Sequence, residues 1–136
     1  MYSFLMQAHA DWRYLVLLLL GVSLVKYLVG WLRSSSWGRP DQILGTVTTI
    51  VVDIQLLSGL ALWGVAMSQG LLGQLGRVRA FEHPTTMLVA IAIMHLGWRR
   101  ARHQATDRDR FRWATLAFLV AGLLILLGIR LVTRMA

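Results

Sequence analysis

The chain has 136 residues, of which 57 % are hydrophobic, and it carries a formal net charge of +8. This length predicts a single domain, and the lack of cysteine excludes disulfides and thiolate metal sites. In so apolar a chain, arginines at helix ends and in loops indicate contact with anionic lipid headgroups, so we predict no nucleic-acid partner.

Four apolar runs account for most of the chain and predict an all-α membrane protein. A helix of about 20 residues spans the roughly 30 Å hydrocarbon core of a bilayer. The third run is the shortest, but Trp98 and the arginines after it can extend it by snorkelling to the interface. Short connections predict an up-down-up-down four-helix bundle in which the first helix is diagonal to the third. The predicted spans are residues 12–32, 43–67, 84–98 and 111–129.

The arginines are distributed unevenly between the two ends of the predicted bundle. One end carries eight, in the connections 33–41 and 99–112, and the other carries five, which are Arg13, Arg77, Arg79, Arg130 and Arg134. Under the positive-inside rule, the end with more arginines faces the cytoplasm. We therefore predict a multi-pass protein of a bacterial cytoplasmic membrane, with both termini on the periplasmic or outer side.

Two histidines lie just outside predicted spans at the same, outer end of the bundle. His9 precedes the first span and His83 precedes the third. On diagonal helices, two imidazoles at a similar depth have the geometry of axial ligands to one haem iron. The haem propionates would need cations, and a guanidinium binds a carboxylate through two hydrogen bonds. Three arginines at the same end are candidates for this role: Arg13, Arg79 and Arg130.

The same two histidines also have other interpretations. Water reaches the rim of a bundle, so histidines there need no ligand, and Glu82-His83-Pro84 has the pattern of a helix start. A copper site with a methionine as a further ligand is another alternative, although its ligand set is incomplete.

Two glycines toward the outer rim would leave room for a flat macrocycle such as haem: Gly64 and Gly128.

Ionisable residues inside the predicted spans need an explanation, because charged groups are costly in a bilayer. Asp53 lies near the middle of the second span, Lys26 lies in the first, and His95 lies near the inner end of the third. One hypothesis is a proton or ion path formed by this polar cluster. The other is an interhelical hydrogen bond from a protonated Asp53, which would stabilise the packing. His103, in a basic loop, is expected to be solvated.

Three segments resemble a group of small bacterial four-helix membrane proteins described as cytochrome b-like. They are AHADWRYLVLLLL, DIQLLSGLALW and RAFEHPTTMLVAIAIMHLGWRRAR. The group is akin to the four-helix cores of cytochrome b561-type proteins, and the resemblance covers all four spans. It implies one b-type haem held by His9 and His83. Some relatives have a histidine where this chain has Asp53, so the resemblance does not imply a second cofactor.

These observations lead to one principal functional prediction and two alternatives. The principal prediction is a membrane cytochrome with one haem b that exchanges electrons with a quinol, a soluble redox protein or a larger respiratory or photosynthetic complex. The first alternative is a non-redox accessory subunit of a larger membrane complex. The second is a small, homo-oligomeric transporter for ions or protons that uses Asp53. The sequence contains no hydrolase triad, phosphate-binding loop or zinc-ligand spacing.

Overall fold

The computed structural model describes residues 1–134, and every regular element among them is a helix. This confirms the all-α prediction. There are four long helices, each containing one of the predicted apolar runs, and a short helix and a π-helical segment precede the third of them. In chain order the elements are α1 (Tyr2–Leu32), α2 (Arg39–Ser68), α3 (Leu72–Arg77), the π-helical segment Val78–Glu82, α4 (His83–Arg102) and α5 (Asp107–Thr133).

Three helices among the described residues are long and apolar enough to cross a membrane, namely α1, α2 and α5. Helix α4 has 20 residues, and its last turn carries Arg99, Arg100 and Arg102. The apolar run 84–98 within it measures only about 22 Å at 1.5 Å per residue. Helix α4 is therefore the shortest of the four long helices and has a strongly basic end.

Side chains at the starts of α2 and α5 accept hydrogen bonds from backbone N–H groups that have no partner within the helix. The Asp41 carboxylate accepts a hydrogen bond of 2.9 Å from the backbone N–H of Gly38, and Pro40 occupies the first turn of α2. Thr106 Oγ1 accepts a hydrogen bond of 3.2 Å from the N–H at the third position of α5. Lys26 forms a 3.0 Å ion pair with the buried Asp41, which connects α1 to the start of α2.

Helix α1 packs against α2 and α5, and α4 packs against α5 and α2. Contacts between α1 and α2 run in opposite chain directions, since His9 contacts Ser58 whereas Ser23 contacts Thr48. The Ser23 and Thr48 hydroxyl groups are buried and form a 2.8 Å hydrogen bond. Small hydroxyl residues that bond across helices are typical of helix packing in membranes.

An aromatic cluster fills the core at the end of the bundle where α2 and α5 begin. A Cβ on Gly30 would overlap the ring of Phe111, and a Cβ on Gly45 would overlap the ring of Trp98, so glycine at both positions makes room for the rings. Offset-stacked and edge-to-face pairs within the cluster have ring centroids 5.0 to 6.4 Å apart. The cluster consists of Tyr27, Trp37, Trp98, Phe111 and Phe118.

Replacement of Gly97 by alanine is expected to destabilise the bundle. Gly97 of α4 faces Ala117 of α5, and a Cβ at position 97 would overlap the Cβ of Ala117. Both atoms are attached directly to the backbone, so the helices would have to separate, and overpacking of this kind costs about 1–3 kcal/mol.

The matched control is Gly122→Ala on α5, where a Cβ would enter open space. Alanine favours a helix over glycine by about 1 kcal/mol, so this variant should be as stable as the unchanged protein or more so. Thermal unfolding in detergent is expected to give a lower Tm for Gly97→Ala only. Equal Tm values for the two variants would contradict a tight α4–α5 contact.

Candidate functional site

A cavity of about 290 Å³ lies at the end of the bundle opposite the aromatic cluster. Residues of α1, α2, α4 and α5 form most of its lining, together with Leu75 of α3 and Arg79 of the π-helical segment. Its size is at the lower limit of small-molecule sites, which measure about 300–1,000 Å³. Most of the lining is apolar, and it includes both histidines of this end and two arginines: His9, Arg13, Arg79 and His83.

His83 is the first residue of α4, lies just outside the predicted span 84–98, and is half-buried against α5. Its Nδ1 lies 3.1 Å from the carbonyl oxygen of Gly128, so Nδ1 carries a proton and donates. Burial lowers the pKa of His83, which favours the neutral ring. The lone pair is then on Nε2, an arrangement that is typical of metal-binding histidines. A Cβ on Gly128 would overlap the methyl group of Met87, so the glycine lets α5 approach this part of α4.

His9 is held by side chains and backbone of α2. Gln55 Nε2 donates to the backbone carbonyl of His9 at 2.9 Å, which sets the orientation of the amide. The same amide nitrogen lies 3.2 Å from His9 Nε2, so Nε2 accepts. His9 Nδ1 then carries the proton and donates to Ser58 Oγ at 2.7 Å, while Ser58 donates to the carbonyl of Gln55 at 2.8 Å. Both histidines therefore have the same tautomer, with the lone pair on Nε2.

The contacts around His9 leave one polar atom without a partner. Gln55 Oε1 is buried and accepts no hydrogen bond from any described residue. A buried acceptor of this kind costs about 1–3 kcal/mol, so its presence beside a cavity calls for a functional explanation. Gly59, one helical turn after Gln55, faces the His9 ring, and a Cβ there would come within 2.9 Å of Cε1. Helix α2 thus fits closely around His9.

The three arginines predicted to bind propionates lie in different surroundings. Arg13 is half-buried one turn after His9, and Arg79 is exposed on the π-helical segment, but both line the cavity. Arg130 is exposed and is not among the lining residues. The cavity therefore has two guanidinium groups, each able to bind a carboxylate through two hydrogen bonds.

The π-helical segment Val78–Glu82 brings Arg79 and His83 to the cavity. The backbone turns at Gly76, whose φ of 72° lies in the left-handed region that glycine adopts without strain. Trp63 Nε1 donates to the carbonyl of Ala80 at 2.8 Å, which anchors the segment on α2. Such π-helical turns are frequent at functional sites.

The structure divides the predicted polar cluster of Asp53, Lys26 and His95 between two places. His95 Nε2 lies 2.6 Å from Asp53 Oδ1, whereas Lys26 bonds to Asp41. The side chains of Asp53 and His95 are 38 % and 47 % exposed, and neither lines the cavity. This pair thus lies on the outside of the bundle. His103 is exposed, as expected.

The contacts of His9 with residues of α2 were not predicted from the sequence. Gln55, Ser58 and Gly59 follow the i, i+3, i+4 spacing of one helix face, and this spacing was the available signal. Gly64, one of the two glycines predicted to leave room for a macrocycle, faces open space, because a Cβ there would meet nothing within 4 Å. The glycine of α2 that lies against the His9 ring is Gly59.

Comparisons with known proteins do not assign the site. Protein-family models, curated proteins and solved structures gave no match to the chain.

Proposed function

We propose that this protein is a b-type membrane cytochrome that holds one haem between His9 and His83. The observation that carries the proposal is that imidazoles from two different helices line one cavity, each with Nδ1 bound to a neighbouring group. Haem supplies one-electron chemistry when bound, and two histidine ligands leave no open position on its iron. The proposed function is therefore electron transfer.

The chemical composition of the remaining cavity lining also suits a haem. Apolar side chains such as Val52, Ile91 and Ile125 form the walls, which suits the apolar body of the macrocycle. Arg13 and Arg79 are the cations that would bind the two propionates. An apolar lining with a few placed polar groups is the usual composition of a cofactor site.

Gln55 and Ser58 have separate roles in this proposal. Gln55 would release His9 Nε2 when that nitrogen binds iron, while its bond to the backbone carbonyl of His9 remains. Ser58 would keep its bond to Nδ1 and so hold the orientation of the ring. Such a partner on the second nitrogen orients a ligand histidine and raises its basicity.

We further propose that the four long helices cross a bacterial cytoplasmic membrane in up-down-up-down order, with α4 as the shortest span. The opposite chain directions of the α1–α2 contacts support this order, and the arginine distribution supports an outer location for the cavity and both termini. The proposed electron partners are a quinol, a soluble redox protein or a larger respiratory or photosynthetic complex.

A haem titration tests this proposal. Protein expressed under haem limitation should take up one haem per chain, measured by the Soret absorbance. The double variant Arg13→Gln/Arg79→Gln should bind haem about tenfold more weakly, because it loses charge-assisted hydrogen bonds at a wet rim. Arg130→Gln is the matched control, since it removes an arginine outside the cavity lining, and it should bind haem like the unchanged protein. Failure of the unchanged protein to take up haem would overturn the proposal.

A copper site is the second candidate, because two methionines line the same cavity. Met6 and Met87 accompany His9 and His83 there. Thioether ligands select Cu(I), and imidazole also binds copper. Uptake of one Cu(I) per chain by a protein that takes up no haem would favour this candidate.

A further inference from the structure

The Asp53–His95 pair lies on the surface of the bundle, facing away from its core, near the midpoint of α2. Asp53 is about 21 Å from the start of α2 at 1.5 Å per residue, and about as far from its end. The two side chains remain 38 % and 47 % exposed. If the bundle crosses a membrane as proposed, the pair faces lipid, where ionisable groups are costly unless they are covered.

The exposed edge of this pair is complementary to a second copy of itself. His95 Nε2 and Asp53 Oδ1 bind each other at 2.6 Å. Among residues 1–134, neither His95 Nδ1 nor Asp53 Oδ2 has a hydrogen-bond partner. When the pair shares one proton between Nε2 and Oδ1, it offers Nδ1–H as a donor and Oδ2 as an acceptor, and such a surface matches its own copy rotated by 180°.

We propose that two copies of this chain form a dimer through the α2–α4 face. Copies inserted in the same direction share a two-fold axis normal to the membrane, which places α2 of one copy against α4 of the other at equal depth. His95 Nδ1 of each copy then donates to Asp53 Oδ2 of the other, and the four side chains form a ring of four hydrogen bonds. Within each copy one proton is shared between His95 Nε2 and Asp53 Oδ1, so Nδ1–H remains the donor and Oδ2 the acceptor across the interface.

The surroundings of the pair support a helix–helix contact. Ile50 and Leu57, one helical turn before and after Asp53, are 51 % and 65 % exposed. Ala92, one turn before His95, is small and exposed, which permits close approach of a helix. The dimer would remove these side chains and the polar pair from lipid together. This inference depends on the proposed membrane insertion and is independent of haem binding.

Disulfide trapping tests the dimer, and the lack of native cysteine makes the result specific. Two differently tagged copies, one carrying Leu57→Cys and the other Ala92→Cys, are co-expressed, and their membranes are oxidised. Both positions lie one helical turn closer than the polar pair to the end of the bundle with the cavity, so the two-fold axis brings them together at the same depth in the membrane. We expect a cross-linked species that carries both tags.

The matched control pair is Leu18→Cys with Leu123→Cys, on the exposed faces of α1 and α5. These leucines are 61 % and 58 % exposed and should give no cross-link. Cross-linking of the control pair to the same extent, absence of the Leu57–Ala92 species, or capture of a different membrane protein instead would each overturn the proposal.

A second measurement tests the ring of hydrogen bonds itself. His95→Leu in both copies should weaken dimerisation about tenfold in lipid vesicles, measured by fluorescence energy transfer on dilution, because two interhelical hydrogen bonds are lost. The Tm of the variant in detergent shows whether it still folds. Unchanged dimerisation of a folded His95→Leu protein would overturn the proposed ring. The haem titration is a separate readout, so loss of the dimer and loss of haem binding are distinguishable.

Discussion

Replacement of His83 by alanine is expected to lower the haem content of the purified protein at least tenfold. In the proposed cytochrome, His83 would supply one of the two axial ligands, and alanine at this position leaves no nitrogen to bind the iron. His9→Ala should have the same effect, because the second ligand is then missing. The measurement is the ratio of haem to protein together with the reduced α-band.

His103→Ala is the matched control for both variants. His103 is exposed after the end of α4, at the opposite end from the cavity, and its Nδ1 donates to the carbonyl of Arg99. Its replacement should leave the haem content unchanged. Loss of haem from His9→Ala with full retention in His83→Ala would contradict ligation by two histidines and would favour Met87 as the second ligand.

Replacement of Trp98 by alanine is expected to cause the largest loss of stability. Trp98 does not extend to the membrane interface as its place at the end of the third apolar run predicts, because it is 3 % exposed in the core and contacts the rings of Tyr27, Trp37 and Phe118. Large-to-small replacement of a buried aromatic residue costs about 3–5 kcal/mol, which lowers the Tm of a chain of this length by about 10–17 °C. Thermal unfolding in detergent measures the change.

Leu96→Ala is the matched control for Trp98→Ala, since Leu96 lies two residues away on α4 and is 70 % exposed. Its Tm should stay close to that of the unchanged protein. Both variants should also retain haem below their unfolding temperatures, because the cavity lies at the opposite end of the bundle. A Tm for Trp98→Ala as high as that of Leu96→Ala would contradict the role of the aromatic cluster.

Hydropathy predicted the four long helices well but not their ends. An apolar run indicates the lipid-contacting part of a helix, whereas the helix continues for as long as its backbone hydrogen bonds are satisfied. Helix α1 therefore begins at Tyr2, well before the predicted span 12–32. Helix α4 contains the predicted run 84–98, but its basic last turn leaves it outside the helices that are long and apolar enough to cross a membrane.

The partner of Lys26 follows from depth in the bundle. Lys26 and Asp41 flank the connection between α1 and α2, so opposite chain directions place them at the same level. Asp53 is twelve residues further along α2 than Asp41, which is about 18 Å at 1.5 Å per residue. The prediction from the apolar runs did not compare the levels of Lys26 and the two aspartates along the bundle, and it therefore grouped Lys26 with Asp53.

The common location of His9 and His83 was predictable from sequence because both precede apolar runs that begin at the same end of the bundle. The contacts of His9 with Gln55 and Ser58 were less accessible, since they depend on the rotation of α2 about its own axis. The exclusion of Arg130 from the cavity lining depends in the same way on the rotation of α5. Hydropathy gives the depth of a residue in a membrane helix but only weakly its direction.

The visible spectrum of the detergent-purified protein, recorded oxidised and then after reduction with dithionite, tests the central claim most directly. Ligation of one haem by His9 and His83 predicts a sharp b-type α-band on reduction, absent from His9→Ala and His83→Ala and retained in His103→Ala. A featureless spectrum after expression with ample haem would contradict the cytochrome function and would favour an accessory subunit in which both histidines bind no metal.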